Sequence, residues 1–334
     1  MAAPILKIEN LKRNFGKKEI LKGINLDIGE GEVFGIIGMS GSGKSVLLKT
    51  IINFWKPNAG KVTYKNADTK KLAFRKHFGF STQESCFYPE MSVEENLMHY
   101  GRLYGLKKKE IKSRIKELLG LLELESCAKQ ISAELSGGMQ KRLDIACSLI
   151  HKPKLLLLDE PTVELDPILR REVMHLISKV NKEEKVTILM ASHLLGGIEA
   201  MCGNIAILHE GKIIKTGNPT KMREDYGKNE EIHVKLASSN YSKLAKQLEN
   251  RKASLGINQI ITNNMLTIYC KDAEKVLAAL LGMIKAMKEK IVDLHVSKPS
   301  LTEVFTSLVK EQRKTAAFEA EKARKIENKI KKKN

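Results

Sequence analysis

Gly38-Met39-Ser40-Gly41-Ser42-Gly43-Lys44-Ser45 is a glycine, four residues, then Gly-Lys-Ser. It follows the apolar, β-prone run Val33-Phe34-Gly35-Ile36-Ile37 and precedes Val46-Leu47-Leu48-Lys49-Thr50-Ile51-Ile52, which reads as a helix. Strand, glycine loop and helix, in that order, form the setting in which such a loop cradles phosphate groups. The glycines let consecutive backbone N–H groups turn inward, and the helix start adds unpaired donors and positive dipole character. Lys44 is placed to bridge β- and γ-phosphates, and Ser45 to hold Mg2+. A chance glycine turn beside a lysine would not account for the flanking strand and helix.

Around this loop the chain runs to 334 residues, 42% of them hydrophobic, enough for two domains. Its formal charge is +19, and residues 311–334 carry nine Lys/Arg against four Glu. Lys107-Lys108-Lys109 begins another basic stretch. Such a balance points to anionic partners: a nucleotide, an acidic membrane surface or nucleic acid. The cysteines at 86, 127, 147, 202 and 270 lack metal-ligand spacing and suit a reducing compartment as small apolar residues. Met1 to Ile5 lacks the charged-then-apolar order of a signal peptide. No apolar run reaches spanning length; the strongest candidate, around Val186 to Leu208, is interrupted by His193, Gly196-Gly197 and Glu199. If a membrane is involved, the chain is expected to lie beside it rather than across it.

Upstream of the loop, Leu6 to Leu11 and Leu21 to Ile28 alternate as half-exposed strands. Phe15 lies between them; an aromatic there can stack on a purine, although spacing alone favours core packing. Downstream, Lys61 to Tyr64 and Phe78 to Ser81 read as strands, and Gln83 follows the second. Its amide can reach a metal or its water, or simply stay solvated. From Ser92 to about Ile150 the reading is helical. Ser92 and Glu95 have capping-box spacing, and Leu106 to Glu125 is an amphipathic helix whose lysines and arginines form the wet face. Leu135-Ser136-Gly137-Gly138-Met139-Gln140 then precedes the helical run Lys141 to Ile150. With Ser136 as N-cap, the glycines expose N–H groups: a second anion-binding feature, or only a capped helix.

Leu155-Leu156-Leu157-Leu158-Asp159-Glu160 is a wholly apolar strand ending in two carboxylates, which suits the middle of a parallel sheet. Ligands collect at the carboxyl ends of such strands. Asp159 is placed to steady Mg2+, and Glu160 to orient or deprotonate an attacking water. Pro161 to Pro167 is a loop, followed by a helix to about Val180. Lys185 to Met190 is another buried strand, with His193 just beyond it, where it can hold a γ-phosphate, polarise a water or be structural. Ile205 to Leu208 and Lys212 to Thr216 read as a closing hairpin. After a linker at Tyr226 to Asn229, strand Glu231–Leu236, helix Tyr241–Asn250, strands Ile257–Ile261 and Met265–Tyr269, helix Ala273–Lys288 and strand Ile291–Val296 follow. That β-α-β-β-α-β order suggests a ferredoxin-like domain. Ala316 to Lys332 reads as a solvated lysine-rich helix, with contact to acidic lipid as a subordinate reading.

Taken in order, GMSGSGKS at 38–45, Gln83, LSGGM at 135–139, LLLLDEP at 155–161, LDP at 165–167 and His193 resemble the ATPase subunit of an ATP-binding-cassette (ABC) transporter, over about Leu6 to Met222. LSGGM ahead of LLLLDE is the specific part. The resemblance implies that Gly38, Met39, Ser40, Gly41, Ser42, Gly43, Lys44 and Ser45 form the Walker A loop, and that Asp159 is the Walker B aspartate. It implies Glu160 as catalytic glutamate, His193 as switch histidine and Gln83 as the metal- and lid-coupling glutamine. Phe15 would stack on adenine. Ser136, Gly137 and Gly138 resemble the signature that closes on ATP held by a second subunit, and Asp166 the aspartate linking the two sites. ATP and Mg2+ are the implied cofactors. A head-to-tail homodimer or paired cassette would sandwich two ATP and dock on a separately encoded membrane-spanning permease, peripheral on the cytoplasmic side of the cell membrane.

Phe87 to Leu97 and Lys298 to Phe305 resemble the ABC-2 type exporter branch. Met139 stands where Gln is usual, Glu164 where a small residue is common, and Phe15 where Tyr is usual. The expected fold is α/β: a P-loop NTPase-type core with a mainly parallel sheet, N-terminal antiparallel strands and a helical subdomain, plus a small α+β C-terminal domain. The expected bounds are 1–227 for the ATPase domain (helical subdomain about 92–150), 228–299 for the accessory domain and 300–334 for the basic tail. The function implied is ATP hydrolysis coupled to export through the permease. The alternative is a soluble cassette ATPase acting on ribosomes or nucleic acid. Such members usually hold two cassettes where this chain has one, and no aromatic-and-basic interleaving favours nucleic acid. A non-hydrolysing regulatory subunit is opposed by intact Lys44, Asp159, Glu160 and His193.

Overall fold

The chain opens with two alternating strands, β1 (Leu6–Phe15) and β2 (Lys18–Ile28), which pair antiparallel. The apolar strand β3 (Val33–Ile37) leads into helix α1 (Lys44–Ile51). Strands β4 (Ala59–Tyr64), β5 (Ala67–Asp68) and β6 (Phe78–Ser81) precede helices α2 (Val93–Leu103), α3 (Lys108–Leu121) and α4 (Gly137–Leu149). Then come β7 (Leu155–Asp159), α5 (Pro167–Glu184), β8 (Thr187–Ser192), α6 (Ile198–Met201), β9 (Asn204–His209) and β10 (Lys212–Gly217). These coordinates form a computed structural model that describes residues 3–65, 67–68, 72–195, 197–226, 230–297, 300–309 and 312. The chain divides into two compact units, Met1–Asn218 and Pro219–Asn334.

Among the described residues of the first unit, one sheet runs β2-β1-β4-β5 and a second β10-β9-β3-β8-β7-β6. In the second sheet every pairing from β9 to β6 is parallel, and β10 joins the edge antiparallel. Parallel strands covered on both faces must be apolar throughout. Accordingly Val33 to Ile37, Leu155 to Leu158 and Ile188 to Ala191 are all buried. Burying each such leucine or isoleucine contributes about 1.5–3 kcal/mol. Leu47, Leu48 and Ile51 of α1 share one core with Leu6, Ile8 and Leu21 of the antiparallel sheet and Leu157 and Leu189 of the parallel one. The loop between β3 and α1 is thereby fixed at both ends.

Ser92 caps α2 as its sequence predicts: Ser92 N donates to Glu95 Oε2 (2.8 Å) and Glu95 N donates to Ser92 Oγ (3.3 Å). Helix α3 is shorter than the Leu106–Glu125 run, because Glu123 takes a left-handed backbone (φ 56°). Its basic residues are not all on a wet face. Arg114 is buried, its Nη1 and Nη2 reaching Glu184 Oε1 and Oε2 at 2.8 and 2.7 Å. A guanidinium fork matched by a carboxylate can be taken out of water, and a partner 70 residues away is invisible to helical periodicity. Cys127, Cys147, Cys202 and Cys270 are buried free thiols, as small apolar residues would be.

The second unit begins with α7 (Pro219–Tyr226) and continues β11 (Glu230–Leu236), α8 (Ser242–Asn250), α9 (Lys252–Leu255), β12 (Ile257–Thr262), β13 (Leu266–Cys270), α10 (Ala273–Ala286) and β14 (Ile291–Ser297). Its sheet is antiparallel, in the order β12-β13-β11-β14, the arrangement of a split βαβ fold. Ile232, Val234, Leu266 and Ile268 form its core with Leu244, Leu248, Val276 and Leu280 from α8 and α10. The other sheet face sets Glu231 opposite Tyr269, and His233 opposite His295. The linker residues 227–229 and the basic helix expected over Ala316 to Lys332 lie outside the described residues.

Glu231 is buried, and His233 Nε2 lies 3.1 Å from its Oε2. Burial, then the adjacent carboxyl of Glu303, push its pKa up to about 8. A carboxyl protonated in the fold but ionised in the unfolded chain stabilises at low pH. That stability is fully present below about 4.5 and is lost as pH rises through about 8. The second unit should therefore lose amide protection between pH 5 and 9 in hydrogen exchange corrected for intrinsic rate, and Glu231→Gln should flatten that dependence.

Candidate nucleotide site

The strand register brings the functional segments to one edge. Ile37 pairs with Ser192, Asp159 with Ala191, and Ser81 with Leu158. The phosphate loop, Ser192-His193, Asp159-Glu160 and Thr82-Gln83 thus all leave the sheet at its carboxyl end. Gly38 is required there: a Cβ would stand 2.4 Å from Leu208 O and 2.5 Å from Ser42 Oγ. Gly43, at φ 107°, precedes α1 and leaves its first N–H groups without a side-chain cap. Ser42 Oγ is buried with no hydrogen-bond partner among the described residues. Uncapped donors and a spare hydroxyl in a glycine cradle fit an anion.

Lys44 is 5% exposed, and its Nζ donates to Gly38 O (2.9 Å) and Met39 O (3.2 Å). The same Nζ lies 3.1 Å from Glu160 Oε1. Glu160 Oε2 accepts from the His193 backbone N–H (3.2 Å) and lies 2.9 Å from His193 Nδ1. Glu160 holds a left-handed backbone (φ 52°), fixed by its N–H donating to Ala191 O (2.9 Å). Ser45 Oγ donates to Asp159 Oδ1 (3.0 Å). Burial pushes the Asp159 carboxyl up, the Ser45 hydrogen bond pulls it down, and the neighbouring Glu160 charge pushes it up again. A buried carboxylate beside one hydroxyl is a hard-oxygen set that suits Mg2+ completed by phosphate and water.

Other expected residues lie elsewhere in the first unit. Ser136 caps α4, its Oγ accepting from Met139 N (3.4 Å). A Cβ on Gly138 would stand 3.0 Å from Leu169 Cδ2, and one on Gly137 3.8 Å from Leu165 Cδ2. Asp166 Oδ1 caps α5 by accepting from Ile168 N (2.8 Å) and Leu169 N (3.0 Å). Glu164 takes a left-handed backbone (φ 65°). Phe15 is 39% exposed, with the Trp55 ring edge-on at 5.2 Å and the Arg13 guanidinium 4.6 Å over its ring. Gln83 is exposed in the bend after β6. The structure thus gathers Gly38, Lys44, Ser45, Asp159, Glu160 and His193 into one cluster. The segments of Ser136–Gly138 and Asp166 pack on each other. The direct Lys44–Glu160 pair and a bonded group around Asp144 escaped the sequence reading. A lone carboxylate amid Leu143, Ile145, Ala146 and Cys147 was the available signal for the latter.

Comparison with known proteins bears on the family and the fold. The ABC transporter family matches residues 21–163. The linearmycin resistance ATP-binding protein LnrL of Bacillus subtilis (strain 168) is 31% identical over 311 residues, 91% of this chain and 98% of that protein. The solved structure of cbiO1 from Clostridium perfringens, part of an ABC transporter complex, superposes with a TM-score of 0.63 at 28% identity, covering 76% of this chain and 97% of that one. A dimeric ATP-binding cassette in a post-hydrolysis state, bound to ADP and Pi, gives 0.57 at 30% identity over 64% and 98%. The fold and the site define an ABC-type ATPase. The chain belongs to the ATP-binding subunits of ABC transporters, and it binds and hydrolyses ATP to drive transport.

Gly38→Ala should drive its methyl into Leu208 O and Ser42 Oγ, costing about 1–3 kcal/mol of stability. Because the displaced loop carries the inward-turned N–H groups, ATP affinity, read by titration with a fluorescent analogue, should fall at least about tenfold.

Proposed function

We propose that this cluster performs the hydrolysis, with Lys44, Glu160 and His193 as catalytic residues. The observation that carries the reading is the unbroken contact chain Lys44–Glu160–His193 beside Ser45–Asp159. The triphosphate would lie along Gly38 to Ser45, with Phe15 offering its ring to the base. As phosphate oxygens arrive, Lys44 exchanges Glu160 for a stronger counter-charge. Glu160, freed on one side, orients a water towards the γ-phosphorus and takes up its proton; the bond to the leaving ADP oxygen breaks. His193 holds Glu160 through Nδ1, which leaves Nε2 for the γ-phosphate. Ser45, Asp159 and Gln83 would hold Mg2+; when bound, the ion would supply charge neutralisation to the phosphate oxygens.

The reading extends to assembly. Two cassettes would pair head to tail so that Ser136, Gly137, Gly138 and Asp166 of one complete the site of the other, as a dimeric cassette among the structural relatives supports. The partner would be a separate permease, with this subunit peripheral on the cytoplasmic side and exporting cargo; the resistance role in LnrL's name supports that direction. Among the described residues no helix is long and apolar enough to cross a membrane. The ATPase domain is taken as 1–227, with residues 92–150 as its helical subdomain, followed by the accessory domain at 228–299. In the C-terminal tail, 300–334, the basic stretch Ala316 to Lys332 would, as a subordinate reading, touch acidic lipid.

Lys44→Ala should weaken ATP binding by about a hundredfold or more, by removing a buried charge-assisted contact. Glu160→Gln should keep ATP affinity within about threefold and lower kcat about 10²–10⁴-fold, as loss of a general base does. It should also accumulate an ATP-bound dimer on size exclusion. Native turnover by Glu160→Gln would reject the assignment.

A further inference from the structure

The helix that begins at Ser136 is joined to the loop that carries Gln83 by a buried polar group. Asp144, on α4, has a fully buried side chain. Ser81 Oγ at the end of β6 donates to its Oδ2 (2.5 Å), and Cys86 N donates to its Oδ1 (2.8 Å). Lys141, one turn earlier, lies 3.5 Å from Oδ2 and donates to Thr82 O (3.0 Å). Tyr100 OH, from α2, donates to Cys86 O. The loop from Thr82 to Cys86 is therefore held at both ends from the helices, with Gln83 exposed between the anchors. Helix α4 also fits tightly on β6: a Cβ on Gly79 would stand 2.3 Å from Ser148 O.

A buried carboxylate with its acceptors this fully used is stiff. Removing it strands Ser81 Oγ and the Cys86 N–H and takes the nearby carboxylate from the Lys141 ammonium. We propose that Asp144 is a positioning residue for ATP hydrolysis: it fastens the Gln83 loop both to the helix headed by Ser136–Gly138 and to the end of β6 beside Asp159. Ser81 pairs with Leu158, one position before Asp159, so the bond from Ser81 to Asp144 sets where Gln83 stands relative to Asp159. Asp144 itself touches neither phosphate loop nor Glu160 by any of these bonds; it acts through the loop. The inference rests on the proposed role of Gln83.

The test is a double-mutant cycle on the full chain, with kcat for ATP, KM and nucleotide affinity measured for Asp144→Ala, Gln83→Ala and both together. The expected result is a drop in kcat of about tenfold for each single variant, with ATP affinity within about twofold of native. The double variant should be no worse than about twentyfold, because both changes break one link. Asp144→Asn, which keeps an acceptor for Cys86 N, should recover about a third of native kcat. Losses that multiply to about a hundredfold would overturn the proposal, as would native kcat in Asp144→Ala while Gln83→Ala is impaired. Native kcat in Gln83→Ala instead rejects the glutamine's role, and the proposal with it. Should Asp144→Ala not fold, Lys141→Met leaves the bonds to Ser81 and Cys86 in place and releases Thr82 O. It should then show the same coupling to Gln83→Ala, and additive losses would overturn the proposal.

Discussion

Lys44, Asp159 and Glu160 leave water together, at 5%, 2% and 6% exposure, on one edge of a parallel sheet. Each buried charge alone would be costly, and each is tolerable because of its neighbours. Lys44 rests on Glu160 and two carbonyls, and Asp159 on Ser45. That requirement shapes the first unit. Only strands running the same way deliver several loops to one edge, and only strands apolar on both faces can sit at the centre of such a sheet. The charges are therefore confined to the tips of β7 and β8 and to the loop after β3.

The same edge explains how binding and chemistry are linked in the proposed reaction. Before a phosphate arrives, the lysine's counter-charge is the carboxylate that is to meet water. Binding and release of Glu160 from Lys44 are then one exchange of partners. The second unit follows another logic. Its antiparallel sheet uses one face for its own core and places Glu231, His233, Tyr269 and His295 on the other.

Much of this was legible in the residues. The glycine spacing announced the cradle, and the run of leucines before Asp159 announced a central strand with its carboxylate at a carboxyl tip. The β-α-β-β-α-β order of the second unit was readable from alternation and turn residues. What was hidden depends on partners distant in sequence. Strand order was one such feature: β8 lies between β3 and β7, although β3 and β8 are about 150 residues apart. Arg114 looked like a wet-face cation because its periodicity carries no trace of Glu184. Asp144 looked like a polar intrusion in a helix because Ser81 and Cys86 lie some sixty residues upstream. The Lys44–Glu160 contact needs the geometry of two loops at once.

Glu160 sits in the left-handed backbone region at φ 52°, where a side chain with a Cβ costs on the order of 1–3 kcal/mol. Glycine would relieve that tension, but it would also strip the buried Lys44 of its carboxylate, a loss that outweighs the relief. The strained backbone is thus held in place by the ammonium it faces, and a search for heat-resistant variants should keep an acidic side chain at position 160.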